Sequence, residues 1–123
     1  MTWADLSRYS LISLQGEYTR MLSADLQAAS GTLTLSPDIE VTFMTTALSM
    51  VNAGLGVTIC LPYAASLLDL YGLQSRPLLM PQINRKFYLL TKKERPLSPA
   101  AQELADFMRK YVTRQEWGSG HGE

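Results

Sequence analysis

Short apolar runs alternate along the chain with longer stretches in which apolar residues recur every three or four positions. The short runs predict strands, and they occupy residues 9–14, 39–43, 57–61 and 86–91. The periodic stretches predict helices near residues 17–29, 45–54, 62–71 and 98–113. This alternation predicts an α/β fold, a mostly parallel sheet with helices on both faces. The run 57–61 is so apolar and β-branched that we expect a central strand, buried on both faces.

Glycine and proline mark several of the predicted boundaries. Gly31 and Gly54 can end the first two helices, and Ser98-Pro99 is typical of a helix start. The sequence Gly54-Leu55-Gly56 closes a helix and precedes a strand. A dinucleotide fingerprint needs the opposite order and a third glycine, so these residues predict a turn.

Composition indicates one globular domain and argues against several kinds of partner. The 123 residues are 46% hydrophobic and 18% charged, and eleven basic side chains balance eleven acidic ones. No overall charge therefore draws the chain to nucleic acid or to a membrane. We see no secretory signal at the N-terminus and no apolar run of the ~20 residues that a membrane helix needs, and we expect a cytoplasmic protein.

Candidate catalytic residues are sparse. The only histidine, His121, falls in a glycine-rich tail, so no Ser–His or Cys–His pair can be assembled from ordered residues. The only cysteine, Cys60, lies in an apolar run and is interpreted as a small buried hydrophobe rather than a nucleophile. The acidic residues have no metal-ligand spacing. We expect no enzyme activity, no metal and no cofactor.

Three segments carry a resemblance to a known family. They are the opening Asp5-Leu6 before a short apolar strand, the run from Val51 to Pro62 (VNAGLGVTICLP), and the ending FYLL at 87–90 with RPLSPAA at 95–101. In this order and spacing they resemble the effector-binding domain of LysR-type transcriptional regulators.

The resemblance implies an architecture. Such regulators join a winged helix-turn-helix to a two-lobed effector domain similar to periplasmic binding proteins of type II, with the ligand between the lobes. Residues 1–84 resemble the second lobe, residues 85–113 the strand and helix that return to the first lobe, and 114–123 a flexible tail. The winged helix-turn-helix has no counterpart here, so DNA contact is expected only through a segment outside this chain.

The resemblance also implies a ligand site, formed by the loop after the first strand and the start of the second helix. The residues at these positions are Gln15, Gly16, Tyr18, Thr19, Thr45, Thr46 and Ser49. Free backbone N–H groups at helix N-termini, together with hydroxyl and amide groups, suit a small-molecule effector that is a carboxylate or another anion. Phe43 and Met44 suggest an apolar part to that ligand. The alternatives are that Thr45 or Thr46 only caps its own helix and that Tyr18 belongs to the core.

Other functions stay open at this point. They are a solute-binding domain of a transport system and a ligand-free oligomerisation domain, with an enzyme last. Self-association is expected because the family packs the last strand and helix on its first lobe, which this chain mostly lacks. The apolar residues that would then need a substitute are Phe87, Leu89, Leu104, Phe107, Met108 and Tyr111. An unpaired strand edge at 86–91 favours pairing with a second copy over folding back on the chain's own sheet.

Overall fold

The computed structural model describes residues 1–114, which fall into two compact units. The first unit is Met1–Ile83 and the second, Asn84–Ser119, is described as far as Arg114. The first unit contains a 3-10 helix at Ala4–Arg8, β1 (Leu11–Leu14), α1 (Glu17–Ser30), β2 (Ile39–Val41), α2 (Met44–Asn52), β3 (Val57–Thr58), a 3-10 turn at Pro62–Ala64, and α3 (Ala65–Leu68). In the described part of the second unit, the regular element is α4 (Pro99–Arg114).

The sheet of the first unit is parallel, with strand order β2-β1-β3. Leu14 is paired with Val41 on one side of β1, and Leu11 with Val57 on the other. An α/β fold with a parallel sheet is thus confirmed. Parallel strands need crossover connections, and α1 and α2 supply them.

Two glycines with positive φ bound α1. Gly16, with φ 91°, turns the chain from β1 into the helix, and Gly31, with φ 74°, ends it while its N–H donates to the carbonyl of Gln27 at 2.7 Å. The predicted helices 17–29, 45–54 and 98–113 are confirmed to within two residues. The predicted helix 62–71 is shorter, because the chain turns at Pro62–Ala64 and keeps regular α-helix only over Ala65–Leu68.

The core of the first unit combines strand and helix residues. Ile12 of the central strand is fully buried, as are Leu26 of α1 and Leu48 of α2. A connected apolar cluster is formed by Trp3, Leu6, Leu22 and Leu26. The indole N–H of Trp3 donates to the carbonyl of Pro81 at 2.7 Å, which fixes the end of this unit beside its beginning.

The prediction of a central strand at 57–61 was wrong. Only Val57 and Thr58 are in a strand, both are half-buried, and β3 lies at an edge of the sheet as the described residues form it. Val57 and Ile59 are apolar because they pack against the core cluster. An apolar run is therefore explained equally well by packing against the core from one side and by a central position in the sheet.

The predicted strand at 86–91 was also wrong, since residues 84–98 contain no strand. A strand forms only where a neighbouring strand exchanges backbone hydrogen bonds with it, and a local apolar pattern does not supply that neighbour. Phe87, Tyr88, Leu89 and Leu90 are exposed. The tail predicted at 114–123 lies outside the described residues apart from Arg114, which ends α4.

Within residues 1–114, no helix combines the length and apolar character that crossing a bilayer demands.

Candidate functional site

The carboxyl ends of β1 and β2 are joined side by side. Leu14 and Val41, the last residues of the two strands, are partners in the sheet. One residue further on, the backbone N–H of Gln15 donates to the carbonyl of Val41 at 2.9 Å. The segments that lead into α1 and α2 therefore start from neighbouring points on one edge of the sheet, where parallel α/β folds place their ligands.

The first turn of α2 presents unoccupied donors. Its first backbone bond runs from Ala47 N–H to the carbonyl of Phe43 at 3.2 Å, so the N–H groups of the three preceding residues have no partner within the helix. Phe43 is the N-cap residue, no side chain caps this end, and its first turn holds no acidic residue. Thr45 and Thr46 are exposed at the second and third helical positions. The alternative in which one of them caps its own helix was wrong.

The first turn of α1 differs in charge. Arg20 N–H donates to the carbonyl of Gly16 at 3.3 Å, which leaves the N–H groups of residues 17–19 without helical partners. The carboxylate of Glu17 lies at this positive end of the helix dipole and is paired with the exposed Arg20 guanidinium. A negative charge already stabilises α1 where an anionic ligand would have to bind.

Three of the seven predicted contact residues use their hydroxyl groups within the protein. The Tyr18 hydroxyl donates to the carbonyl of Ile59 at 3.3 Å, and its ring packs against the core cluster. The Thr19 hydroxyl donates to the carbonyl of Leu14 and lies 2.7 Å from the Ser13 hydroxyl. Ser49 donates to the carbonyl of Thr45 at 2.9 Å. The Tyr18 and Thr19 hydroxyls tie α1 to neighbouring segments, and the Ser49 bond stays within α2. Gln15, Thr45 and Thr46 are exposed at the same edge of the sheet.

Two further residues belong in the description of this edge. Phe43 is 67% exposed directly before α2, and it adds an apolar surface to the edge. Ser13 fixes Thr19 through the paired hydroxyls. The signal in the sequence that could have identified Ser13 was its position in the strand, two residues before the predicted loop and on the side of α1.

Cavities of appreciable volume lie elsewhere in the first unit. One of about 460 Å³ is lined by Met1, Asp5, Arg8, Tyr9 and Arg76. Another of about 460 Å³ is lined by residues of the segment 3–11, by Leu26 of α1 and by residues of the loop 33–38, among them Trp3 and Leu35. Neither contains a predicted contact residue. The edge formed by Gln15, Thr45 and Thr46, all of them exposed, is an open surface.

Cys60 has a partly buried thiol, where a small buried hydrophobe was expected. It is half-buried after β3, and burial raises its pKa above the ordinary value of 9.0. Since the thiolate is the nucleophile, a raised pKa disfavours reactivity at neutral pH. In the part of the chain that the structure describes, no three His, Cys, Asp or Glu residues are grouped as metal ligands require. His121 lies outside that part.

Comparison with known proteins identifies the family. The model of the LysR substrate binding domain matches residues 1–113. The chain belongs to this family, whose members are effector-binding, periplasmic-binding-protein-like domains of transcriptional regulators and not enzymes. Comparisons with curated proteins and with solved structures gave no match.

Proposed function

We propose that this effector-binding domain senses a small anionic metabolite at the edge where β1 and β2 end. The observation that supports the proposal is the first turn of α2, with free N–H groups, no capping side chain and two exposed threonine hydroxyls. A helix N-terminus of this kind binds an anion through its backbone donors and its dipole without a buried counter-charge.

The principal contact is assigned to α2 rather than α1. Glu17 repels an anion at the start of α1, while the first turn of α2 has no carboxylate. Gln15 and Gly16 contribute from the adjoining turn, since the Gln15 backbone is bonded to the end of β2. In this arrangement Thr45 and Thr46 contact the ligand, while Tyr18 and Thr19 hold α1 in place and the Ser49 hydroxyl bonds within α2.

The ligand has an apolar portion beside its anionic group. Phe43 precedes the free donors of α2 by one residue and exposes two thirds of its surface. An aromatic ring beside a few placed polar groups is the usual composition of a small-molecule site. An aromatic or branched carboxylate meets both requirements better than an inorganic anion does.

Effector binding controls the conformation of the DNA-bound oligomer in the complete regulator. Residues 1–84 act as the second lobe and residues 85–113 return to the first lobe, so a ligand that bridges the lobes favours the closed arrangement. A ligand shifts such an equilibrium only through its different affinity for the two states. The contacts at α2 supply the part of that difference in affinity that comes from the second lobe.

The test is an NMR titration of the ¹⁵N-labelled chain with benzoate, acetate and sulfate. We expect concentration-dependent shifts of the amide signals of Thr45 and Thr46, with Gln15 and Gly16 moving less, and tighter binding of benzoate than of acetate. Shifts that spread without preference over the surface, or that centre on the cavity lined by Arg8 and Arg76, contradict the proposal.

A further inference from the structure

The second cavity of the first unit, of about 460 Å³, lies at the amino ends of β1 and β2, at the other end of these strands from the proposed effector site. Its inner wall contains four core residues, none of them more than 8% exposed: Trp3, Leu6, Leu11 and Leu26. Packed protein interiors leave few voids larger than a water molecule. Pockets that bind small molecules have volumes of ~300–1,000 Å³, and this cavity falls in that range.

The loop between α1 and β2 forms the outer wall of the cavity. Leu33 and Leu35 of this loop are half-buried and pack against the core cluster. The loop is fixed at both ends, since Leu33 N–H donates to the Ser30 hydroxyl at 3.1 Å and Asp38 N–H donates to the carbonyl of Leu11 at 2.9 Å. The cavity is therefore enclosed by parts of the chain that the fold itself holds in place.

A single carboxylate sets the charge of the cavity. Of the described residues that line it, Asp38 alone is charged. One oxygen of this carboxylate accepts a hydrogen bond from Leu11 N–H at 2.9 Å. Within residues 1–114 the other oxygen receives no hydrogen bond, and no lysine or arginine is paired with it. An anion is repelled by such a lining, whereas a cation is attracted to it.

The aromatic residues of the lining suit the apolar part of a ligand. The indole N–H of Trp3 donates to the carbonyl of Pro81, so its ring offers apolar surface to the cavity. Tyr9 is half exposed in the same lining, where its ring can contact a cation or an apolar group. A largely apolar pocket with one placed polar group is the usual composition of a small-molecule site.

We propose that this cavity binds a small organic amine, which would be a second ligand of the domain. The ammonium group donates to the carboxylate of Asp38 in a charge-assisted hydrogen bond, and the apolar body of the amine lies against Trp3 and Leu26. Asp38 directly precedes β2, and Phe43 follows the other end of that strand. The amine and the effector thus bind at opposite ends of β2, and this inference does not depend on the effector site.

The test is an NMR titration of the ¹⁵N-labelled full chain with three probes of similar shape and different charge: phenethylamine, phenethyl alcohol and hydrocinnamate. We expect phenethylamine, a cation at neutral pH, to shift the amide signals of Leu6, Leu11 and Leu35 with a dissociation constant on the order of millimolar. The neutral alcohol should bind about fivefold more weakly at the same signals, because it lacks the charge that pairs with Asp38. Hydrocinnamate should leave these signals unchanged.

Asp38→Asn separates the charge from the fold. Asparagine keeps an oxygen that can accept from Leu11 N–H, so we expect phenethylamine to bind this variant no more tightly than phenethyl alcohol, whose own affinity stays that of the parent. The matched control is Glu40→Gln, the same change at an exposed carboxylate that does not line the cavity, and it should keep the parental affinity for the amine. Urea denaturation verifies that both variants fold.

The proposal is overturned if the parent chain binds the three probes equally, or if the shifts caused by phenethylamine centre outside the cavity lining. It is also overturned by undiminished amine affinity in Asp38→Asn, or by equal weakening in Asp38→Asn and Glu40→Gln. If Asp38→Asn does not fold, the three probes on the parent chain decide: a preference for the amine at the lining residues supports the site, and its absence overturns it.

Discussion

The backbone N–H of Gln15 donates to the carbonyl of Val41, the last residue of the neighbouring strand, at 2.9 Å. This bond extends the pairing of β1 and β2 by one residue beyond the regular ladder. It brings the turn at Gly16 and the start of α2 to the same edge of the sheet. The ligand site proposed here depends on that connection, because its two halves are far apart in sequence.

Thr46→Val is expected to weaken the effector response of the complete regulator. Thr46 is exposed in the first turn of α2, so replacing its hydroxyl by a methyl group changes the fold little. A hydrogen bond to a charged ligand group contributes about 1.5–3 kcal/mol, and its loss raises the dissociation constant roughly ten- to a hundredfold. Titration of carboxylate ligands, with DNA affinity measured beside it, tests this expectation. Thr32→Val, at a threonine that is also exposed and follows α1, is the control, and equal affinity in both variants would exclude Thr46 as a contact.

Thr19→Val is expected to lower the free energy of unfolding by about 1–2 kcal/mol. Its hydroxyl is bonded to the carbonyl of Leu14 and to the hydroxyl of Ser13, and valine leaves both groups without that partner. Thr19→Ser keeps the hydroxyl and should restore most of the stability. Urea denaturation measures both variants. If Thr19 acted on the ligand instead, Thr19→Val would weaken binding and leave the denaturation midpoint unchanged.

The sequence was informative where local chemistry decides the structure. Gly16 and Gly31 bound α1 because few other residues tolerate a positive φ, and the order of strands and helices was enough to predict a parallel sheet. The ligand site at the two turns stays a prediction, which rests on the rule that the carboxyl ends of parallel strands lie on one edge.

The errors concern interactions that form only in three dimensions. An apolar run such as 57–61 has the same composition whether it is central or packed from one side, and the register with β1 decides between them. Residues 86–91 have the apolar pattern of a strand, but the structure forms no strand there. The Thr19 hydroxyl forms its hydrogen bonds inside the protein, and Phe43 is the N-cap residue of α2. Both outcomes depend on which atoms meet in the folded chain, and the spacing of residues in the sequence does not predict them.

Acid is expected to remove a stabilising contribution from the start of the chain. The pKa of Asp5 is lowered from its ordinary value of 3.8, first by the hydrogen bond from the Thr2 backbone N–H and then by that from the Thr2 hydroxyl, both 2.8 Å long. Because the folded pKa is the lower one, the contribution is present above pH 3.8 and is lost as the pH falls through the folded value. Asp5→Asn should lack the part of the acid destabilisation that comes from protonation of Asp5, because asparagine does not titrate.

The carboxyl ¹³C signal of Asp5 reports its titration directly. Thr2→Ala should raise the pKa of Asp5 only part of the way to its ordinary value, since alanine keeps the backbone N–H that lowers it most. Full recovery of the ordinary value in that variant would mean that the hydroxyl, and not the backbone, holds the carboxylate.

Gly56→Ala is expected to destabilise the sheet strongly. A Cβ atom at Gly56 would lie 2.2 Å from the carbonyl oxygen of Ser10, whereas such atoms do not approach other heavy atoms within 3.0 Å. The same carbonyl accepts the bond from Val57 N–H at 2.9 Å that begins the pairing of β3 with β1, so relief of the clash separates the strands. We expect a loss of about 3 kcal/mol in the free energy of unfolding, a large part of the ~5–15 kcal/mol that a domain has.

Gly54→Ala is the control, because a Cβ there meets no atom within 4 Å and only the φ of +80° is unfavourable, at about 1–2 kcal/mol. Urea denaturation of the two variants should show the larger loss at Gly56, and equal losses would mean that β3 does not approach Ser10 this closely.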